Sequence, residues 1–241
     1  MSDYIACGHG KSTDGSWDSG CTYKYKGKTY TEAELMLPIT KQMVKYLRGA
    51  GLAIKTDADN KNNINMIKSV EAANKANVDT YVSLHCDWSK AGSGTMPLYY
   101  SAKGRALATA LDKSVKGHMR IKCRGITKRT DLYELTATDA VACIYEAGGI
   151  KADLKKLQRA DDYGWALARG LCDYKDVTFK FTVKTKGNLI VRSTSSLLSK
   201  KMRTLRKGET YTIVDTNTQG TRGKLKEGGW ITITSKYAER V

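Results

Sequence analysis

The chain has 241 residues and a formal net charge of +17, from 41 Lys and Arg against 24 Asp and Glu. Hydrophobic residues make up 41% and charged ones 27%, ordinary globular usage that excludes a disordered chain, and the 2 prolines exclude a collagen-like one. No run approaches the roughly 18 apolar residues of a membrane-spanning helix, and the opening Met1-Ser-Asp-Tyr-Ile-Ala-Cys lacks the basic and apolar regions of a secretion signal, so accumulation in a cytoplasm is expected.

In chain order, Tyr4–Cys7 reads as a strand running into a Gly-rich turn, followed by a polar loop holding Trp17, Tyr23, Tyr25 and Tyr30. Leu35, Ile39, Met43, Tyr46 and Leu47 form a helical stripe over 32–48, ended by Gly49 and Gly51. A strand is expected at 52–56, a helix at 62–76, and a buried strand from Thr80 that closes at His85. Met96–Tyr100 reads as an edge strand, because Pro97 cannot donate to a central ladder. A helix over 103–117, a buried strand from Val141 ending at Glu146, and a helix over 152–171 complete this part. Strands alternating with helices predict an α/β fold: a mostly parallel sheet covered by helices on both faces.

From about residue 177 the pattern becomes short period-2 segments, which predicts a small all-β barrel with Tyr211 and Trp230 in its core. The expected domains are 1–176 and 177–241. The first carries 27 basic residues against 20 acidic, net +7, and the second 14 against 4, net +10. A tail this basic is drawn to polyanions, among them nucleic acid, an anionic membrane or a teichoic-acid-bearing wall. It lacks the aromatic and glycine signature of an RNA-binding sheet, so nucleic acid is not the expected partner. The six cysteines form no Cys-x-x-Cys pair and are expected as reduced, buried or half-buried thiols.

Gly8-His-Gly-Lys-Ser carries the end of a phosphate-binding loop, but the pattern needs a glycine where Ile5 stands, which rejects a nucleotide triphosphatase. Of the three histidines, His9 and His85 follow strands at the carboxyl edge of the expected sheet, where functional groups collect. His118 falls late in a helix and reads as structural. Glu146 closes an apolar strand, where a carboxylate is costly unless paired. Two imidazoles and a carboxylate with an open fourth position suit a catalytic zinc, and a further carboxylate could move the proton. Spacing by itself does not select the ligands.

Tyr4-Ile-Ala-Cys-Gly-His-Gly resembles the opening strand and turn of the zinc-dependent N-acetylmuramoyl-L-alanine amidases of the Amidase_3 family. Glu32 with Gly51 nineteen positions on fits the register of the family's first long helix, and Glu34 fits it less well. Val82-Ser-Leu-His85, Gly94-Thr-Met-Pro-Leu-Tyr-Tyr-Ser, Asp131-Leu-Tyr-Glu-Leu and Cys143-Ile-Tyr-Glu146-Ala-Gly follow in the family's order, over about residues 3–172. Departures are Asp87 where the family commonly has Asn, Gly149 for the usual Phe, and Met36 at an Asn-like position. The resemblance implies that His9, Glu32 and His85 hold one Zn²⁺ and that Glu146 is the catalytic acid–base. It implies hydrolysis of the bond between N-acetylmuramic acid and L-alanine in bacterial peptidoglycan. Cys86, beside a ligand, should face the opposite side of its strand. The tail segments Gly187–Ser193, Leu205–Tyr211 and Gly229-Trp-Ile resemble a bacterial SH3 domain, a wall-binding module. An amidase with such a tail and no export signal resembles a phage endolysin held in the host cytoplasm until a holin releases it. The alternative is a catalytically silent wall-binding protein on an amidase scaffold.

Overall fold

The computed structural model describes residues 2–59 and 64–241. They divide into two compact units that meet between Lys175 and Asp176.

In the first unit, strand β1 (Asp3–Cys7) is fully buried and leads through the hairpin β2 (Thr22–Tyr25) and β3 (Lys28–Thr31) into helix α1 (Glu32–Gly49). The hairpin replaces the expected loop. Its Lys26-Gly27 turn has both φ angles positive, the geometry that matches the twist of two strands. Thr31 caps α1 by accepting from the Glu34 N–H, and Leu35, Met36, Ile39, Met43 and Leu47 form its buried stripe. Strand β4 (Ile54–Thr56) follows, then helix α2 (Met66–Lys75), capped by Asn65. The helix is shorter than expected: Ile64 bridges to Lys11, and positions 62 and 63 lie outside the described residues.

Strand β5 (Thr80–Asp87), strand β6 (Met96–Tyr99), helix α3 (Ala102–Met119) and the two-residue β7 (Thr127–Lys128) come next. The short helix α4 (Tyr133–Thr136), strand β8 (Val141–Gly149) and helices α5 (Leu154–Leu157) and α6 (Ala160–Tyr174) complete the unit. The expected single helix over 152–171 is therefore two. The buried Asp153 carboxylate accepts from Ser93 and from the Gly94 and Gly149 N–H groups, which pins α5 as a separate turn.

The six strands form one mixed sheet in the order β4-β1-β5-β8-β6-β7, parallel except at the β8–β6 junction. Strand β6 lies inside the sheet rather than at its edge. Pro97 is tolerated because β7 pairs only with Leu98 and Tyr99 and needs no donor from the proline. Alternation sends Ile5, Leu84 and Tyr145 toward α1, α3 and α6, and Tyr4, Tyr81 and Ile144 into a second apolar layer with Val70, Ala73 and Leu135 from α2 and α4. Helices thus cover both faces. None of the described helices is long and apolar enough to cross a membrane.

The second unit is all-β: β9 (Phe181–Thr185), β10 (Leu189–Arg192), β11 (Lys201–Leu205), β12 (Thr210–Thr216), β13 (Arg222–Leu225), β14 (Trp230–Thr232) and β15 (Ala238–Arg240). They form a seven-stranded antiparallel sheet in the order β11-β10-β14-β13-β12-β9-β15. This corrects the expected barrel. Among the described residues the ladder starts at β11 and stops at β15 without joining them, and β11 carries Lys201 and Arg203 exposed, charges that discourage edge pairing. Val183, Val191, Ile213, Leu225 and Ile231 make the core, while Tyr211 and Trp230 are half-buried beside it.

Candidate metal centre

The carboxyl ends of β1, β5 and β8 and the first residue of α1 bring His9, His85, Glu146 and Glu32 to one place. The parallel register sets His85 directly beside Glu146, which puts their side chains on the same face about 5 Å apart. Glu32 heads α1, where the helix's N-terminal dipole favours a negative charge.

Glu32 is 4% exposed, and backbone holds it. The Cys21 N–H donates to Oε2 at 3.0 Å and the Cys86 N–H to Oε1 at 2.9 Å. On their other sides, Oε2 stands 3.3 Å from His9 Nε2 and Oε1 stands 3.1 Å from His85 Nδ1. One ligand atom from each of His9, Glu32 and His85 lies within 4.8 Å of the other two. A Cβ on Gly8 would fall 2.2 Å from the His85 ring, and one on Gly20 would fall 2.6 Å from Glu32 Oε2. These two glycines leave the space the ligand set occupies. Glu34 is exposed and contributes its backbone to the α1 cap.

The far ring nitrogens also have acidic partners. His9 Nδ1 is 2.8 Å from Asp18 Oδ2. His85 Nε2 is 3.3 Å from Glu134 Oε2 and 3.1 Å from Ser83 Oγ, and the Tyr81 hydroxyl donates to Glu134 Oε1 at 2.8 Å. The sequence does not single out Asp18, and it gives Glu134 only as part of the Asp131–Leu135 motif, without a role. The available signal was Glu134 itself, a lone acid between Leu132 and Leu135 on a short helix that buries both it and Leu135. Asp18 sits in an irregular loop and gives no periodic cue.

The electrostatics favour a cation. Burial alone would lower the His85 pKa, but Glu134 and Glu32 raise it well above the usual imidazole value. His9 is raised for the same reason: burial lowers it, but the hydrogen bond and charge of Glu32, with the Asp18 hydrogen bond, together outweigh burial. Burial opposes ionisation of Glu32, yet the two imidazoles hold its carboxyl far below the ordinary range. Burial pushes Glu146 up to about 7, with the Glu32 and Asp87 charges adding to the rise and His85 and Arg124 opposing it. Glu146 Oε2 is buried without a hydrogen-bond partner. Four acids around two imidazoles, with one acid oxygen unsatisfied, suit a divalent ion held by nitrogen and oxygen donors.

The remaining candidates lie apart or play other parts. His118 packs against Trp165 with the rings tilted by 40° and faces Asp162 at 3.5 Å. Asp87 receives the Arg124 guanidinium at 2.8 Å. Tyr23 and Tyr25 line a cavity of about 390 Å³ with Lys151, Lys155 and Lys156, while Trp17 is exposed. Cys86 turns away from the imidazoles and meets Cys21.

Residues 4–173 match the Amidase_3 family model, N-acetylmuramoyl-L-alanine amidase. Among solved structures, the N-acetylmuramoyl-L-alanine amidase AmiC2 of Nostoc punctiforme is 25% identical, with a TM-score of 0.63 over 73% of this chain and 97% of that one. The catalytic domain of the CD27L endolysin targeting Clostridia difficile shares the fold at 20% identity, with a TM-score of 0.59 over 72% of this chain and 97% of that one. An uncharacterized 38.4 kDa protein of Clostridium perfringens is 24% identical over 153 residues, 56% of this chain, and the match spans 45% of that protein's length.

Proposed function

Because the chain belongs to the Amidase_3 family of N-acetylmuramoyl-L-alanine amidases, we propose that it hydrolyses the amide joining N-acetylmuramic acid to L-alanine, with His9, Glu32 and His85 as ligands of one Zn²⁺. The observation that carries this reading is the convergence of three ligand atoms within 4.8 Å, beside an acid whose Oε2 has no other partner. A zinc ion at such a site supplies Lewis acidity, lowering the pKa of a water toward about 7 and polarising a carbonyl. Asp18 and Glu134 hold the two imidazoles in orientation from behind. Glu146 takes the proton from the attacking water and delivers it to the departing L-alanine nitrogen. Its carboxyl, raised to about 7 by burial, is placed to work in both directions near neutral pH.

Glu146→Gln keeps the side chain's shape and removes the base. The expected result is a variant that retains one zinc per chain by elemental analysis and loses wall lysis by about 10²–10⁴-fold. Product analysis of digested peptidoglycan should show new amino termini on L-alanine. New reducing ends, or full lysis by the Gln variant, would refute the assignment. A silent wall-binding protein on this scaffold would take up zinc and sediment with walls while releasing no product.

The second unit reads as a bacterial SH3-like wall-binding module, on the strength of its basic surface and the motifs at Gly187–Ser193 and Gly229–Ile231. A catalytic unit joined to such a module supports a phage endolysin that acts once a holin opens the membrane. Expression in a susceptible host should then lyse cells only when a holin is co-expressed.

A further inference from the structure

Beside the Glu32 carboxylate two thiols face each other, each sulfur within 4.8 Å of a Glu32 oxygen. Cys21 Sγ and Cys86 Sγ are 4.0 Å apart, from residues 65 positions apart in sequence. A disulfide needs about 2.0 Å between sulfurs, so the pair lies roughly 2 Å short of a bond.

Both backbones are fixed by one acid. Cys21 donates its N–H to Glu32 Oε2 and accepts the Glu32 N–H on its carbonyl at 2.9 Å, and Cys86 donates its N–H to Oε1. The spacing of the two main chains is therefore set by a single carboxylate. The remaining approach falls to side-chain rotation, at Cys21 on a loop and at Cys86 on strand β5. Cys21 Sγ already rests on the Cys86 and Asp87 carbonyls, at 3.4 Å and 3.6 Å. Cys86 is buried while Cys21 is partly exposed, which gives the pair an outer thiol and an inner one.

We propose that Cys21 and Cys86 are a modification site that closes to a disulfide by exchange with a small-molecule disulfide. The Cys21 sulfur attacks the small disulfide, forms a mixed disulfide and expels one thiol. The Cys86 sulfur then attacks Cys21, forms the internal bond and expels the second thiol. Two electrons pass from the protein sulfurs to the small molecule, and the two protons lost by the cysteines end on the released thiols. The bond ties the Gly20–Cys21 segment to the end of β5, bracketing the carboxylate that both residues hold. It closes a long loop of chain and restricts the unfolded ensemble accordingly. The inference stands on the thiol geometry and does not depend on the amidase reading.

The test exposes the 241-residue chain, with and without added Zn²⁺, to oxidised glutathione, followed by thiol counting, intact mass and peptide mapping. The expected result is loss of two of the six thiols, no retained glutathione, a Cys21–Cys86 linked peptide, and a thermal midpoint several degrees above that of the reduced protein. Dithiothreitol should reverse all of it. Cys21→Ser and Cys86→Ser should each abolish the linked species, with Cys21→Ala as a further variant if either folds poorly. Glutathione remaining on Cys21, a bond mapped to any other pair, or six free thiols at equilibrium would each overturn the proposal. Lysis is not a readout here, so a failed amidase assignment and a failed disulfide are told apart.

Discussion

At the scale of single residues, the candidate centre is a carboxylate-rich pocket whose imidazoles are held from both sides. Each ring offers one nitrogen to the Glu32 side and presents the other to an acid. Acids behind metal-binding imidazoles typically change affinity by about 10–100-fold. Glu134→Gln should therefore weaken zinc binding by about that factor, read by competition with a chromogenic chelator, while the fold persists because Tyr81 can still donate to the amide oxygen. An unchanged affinity would reduce Glu134 to a buried charge partner. His85→Ala should lose both zinc and lysis, whereas Glu34→Ala, whose side chain is exposed, should keep both.

At the scale of elements, parallel strands held in register deliver the site. Cys7 pairs with Leu84 and His85 with Glu146, so three strand ends arrive together. Just after β4, Asp57 fastens this arrangement: its buried carboxyl accepts from the Cys7 N–H at 3.0 Å and from Ser69 on α2 at 3.1 Å. Burial raises its pKa from 3.8 to about 7. The folded protein thus binds this proton more tightly than the unfolded chain does. Its contribution to stability is present at acid pH and is lost as pH rises through about 7. Asp57→Asn should flatten that part of the profile, its thermal midpoint falling less than the wild type's between about pH 5 and pH 8. Parallel profiles would show that Asp57 does not titrate there.

At the scale of the molecule, charge is divided unevenly, with net +10 on 177–241 against +7 on the much longer 1–176. Exposed charges act within a Debye length of about 8 Å at physiological salt. Wall binding carried by the second unit should therefore weaken steeply with added salt in a sedimentation assay. A chain ending at Lys175 should lose the salt-sensitive part of binding while still cleaving soluble wall fragments. Equal binding by the shortened chain would move the wall contact to the first unit.

The sequence by itself determined the alternating strands and helices of the first part, the change of rhythm near residue 177, and three chemistry-bearing residues after or at the ends of apolar strands, His9, His85 and Glu146, while Glu32 at the head of α1 came only from the family resemblance. All but Glu32 are legible because strand and helix periods, and charges at the ends of apolar runs, are local patterns. Tertiary structure alone decided which acids stand behind His9 and His85, since Asp18 and Glu134 reach the rings through space from a loop and a one-turn helix. It also decided the place of β6 inside the sheet, the break between α5 and α6, and the open seven-stranded sheet where a barrel was expected. Pairing between strands and the approach of two thiols 65 residues apart depend on contacts distant in the chain, and no local pattern encodes them.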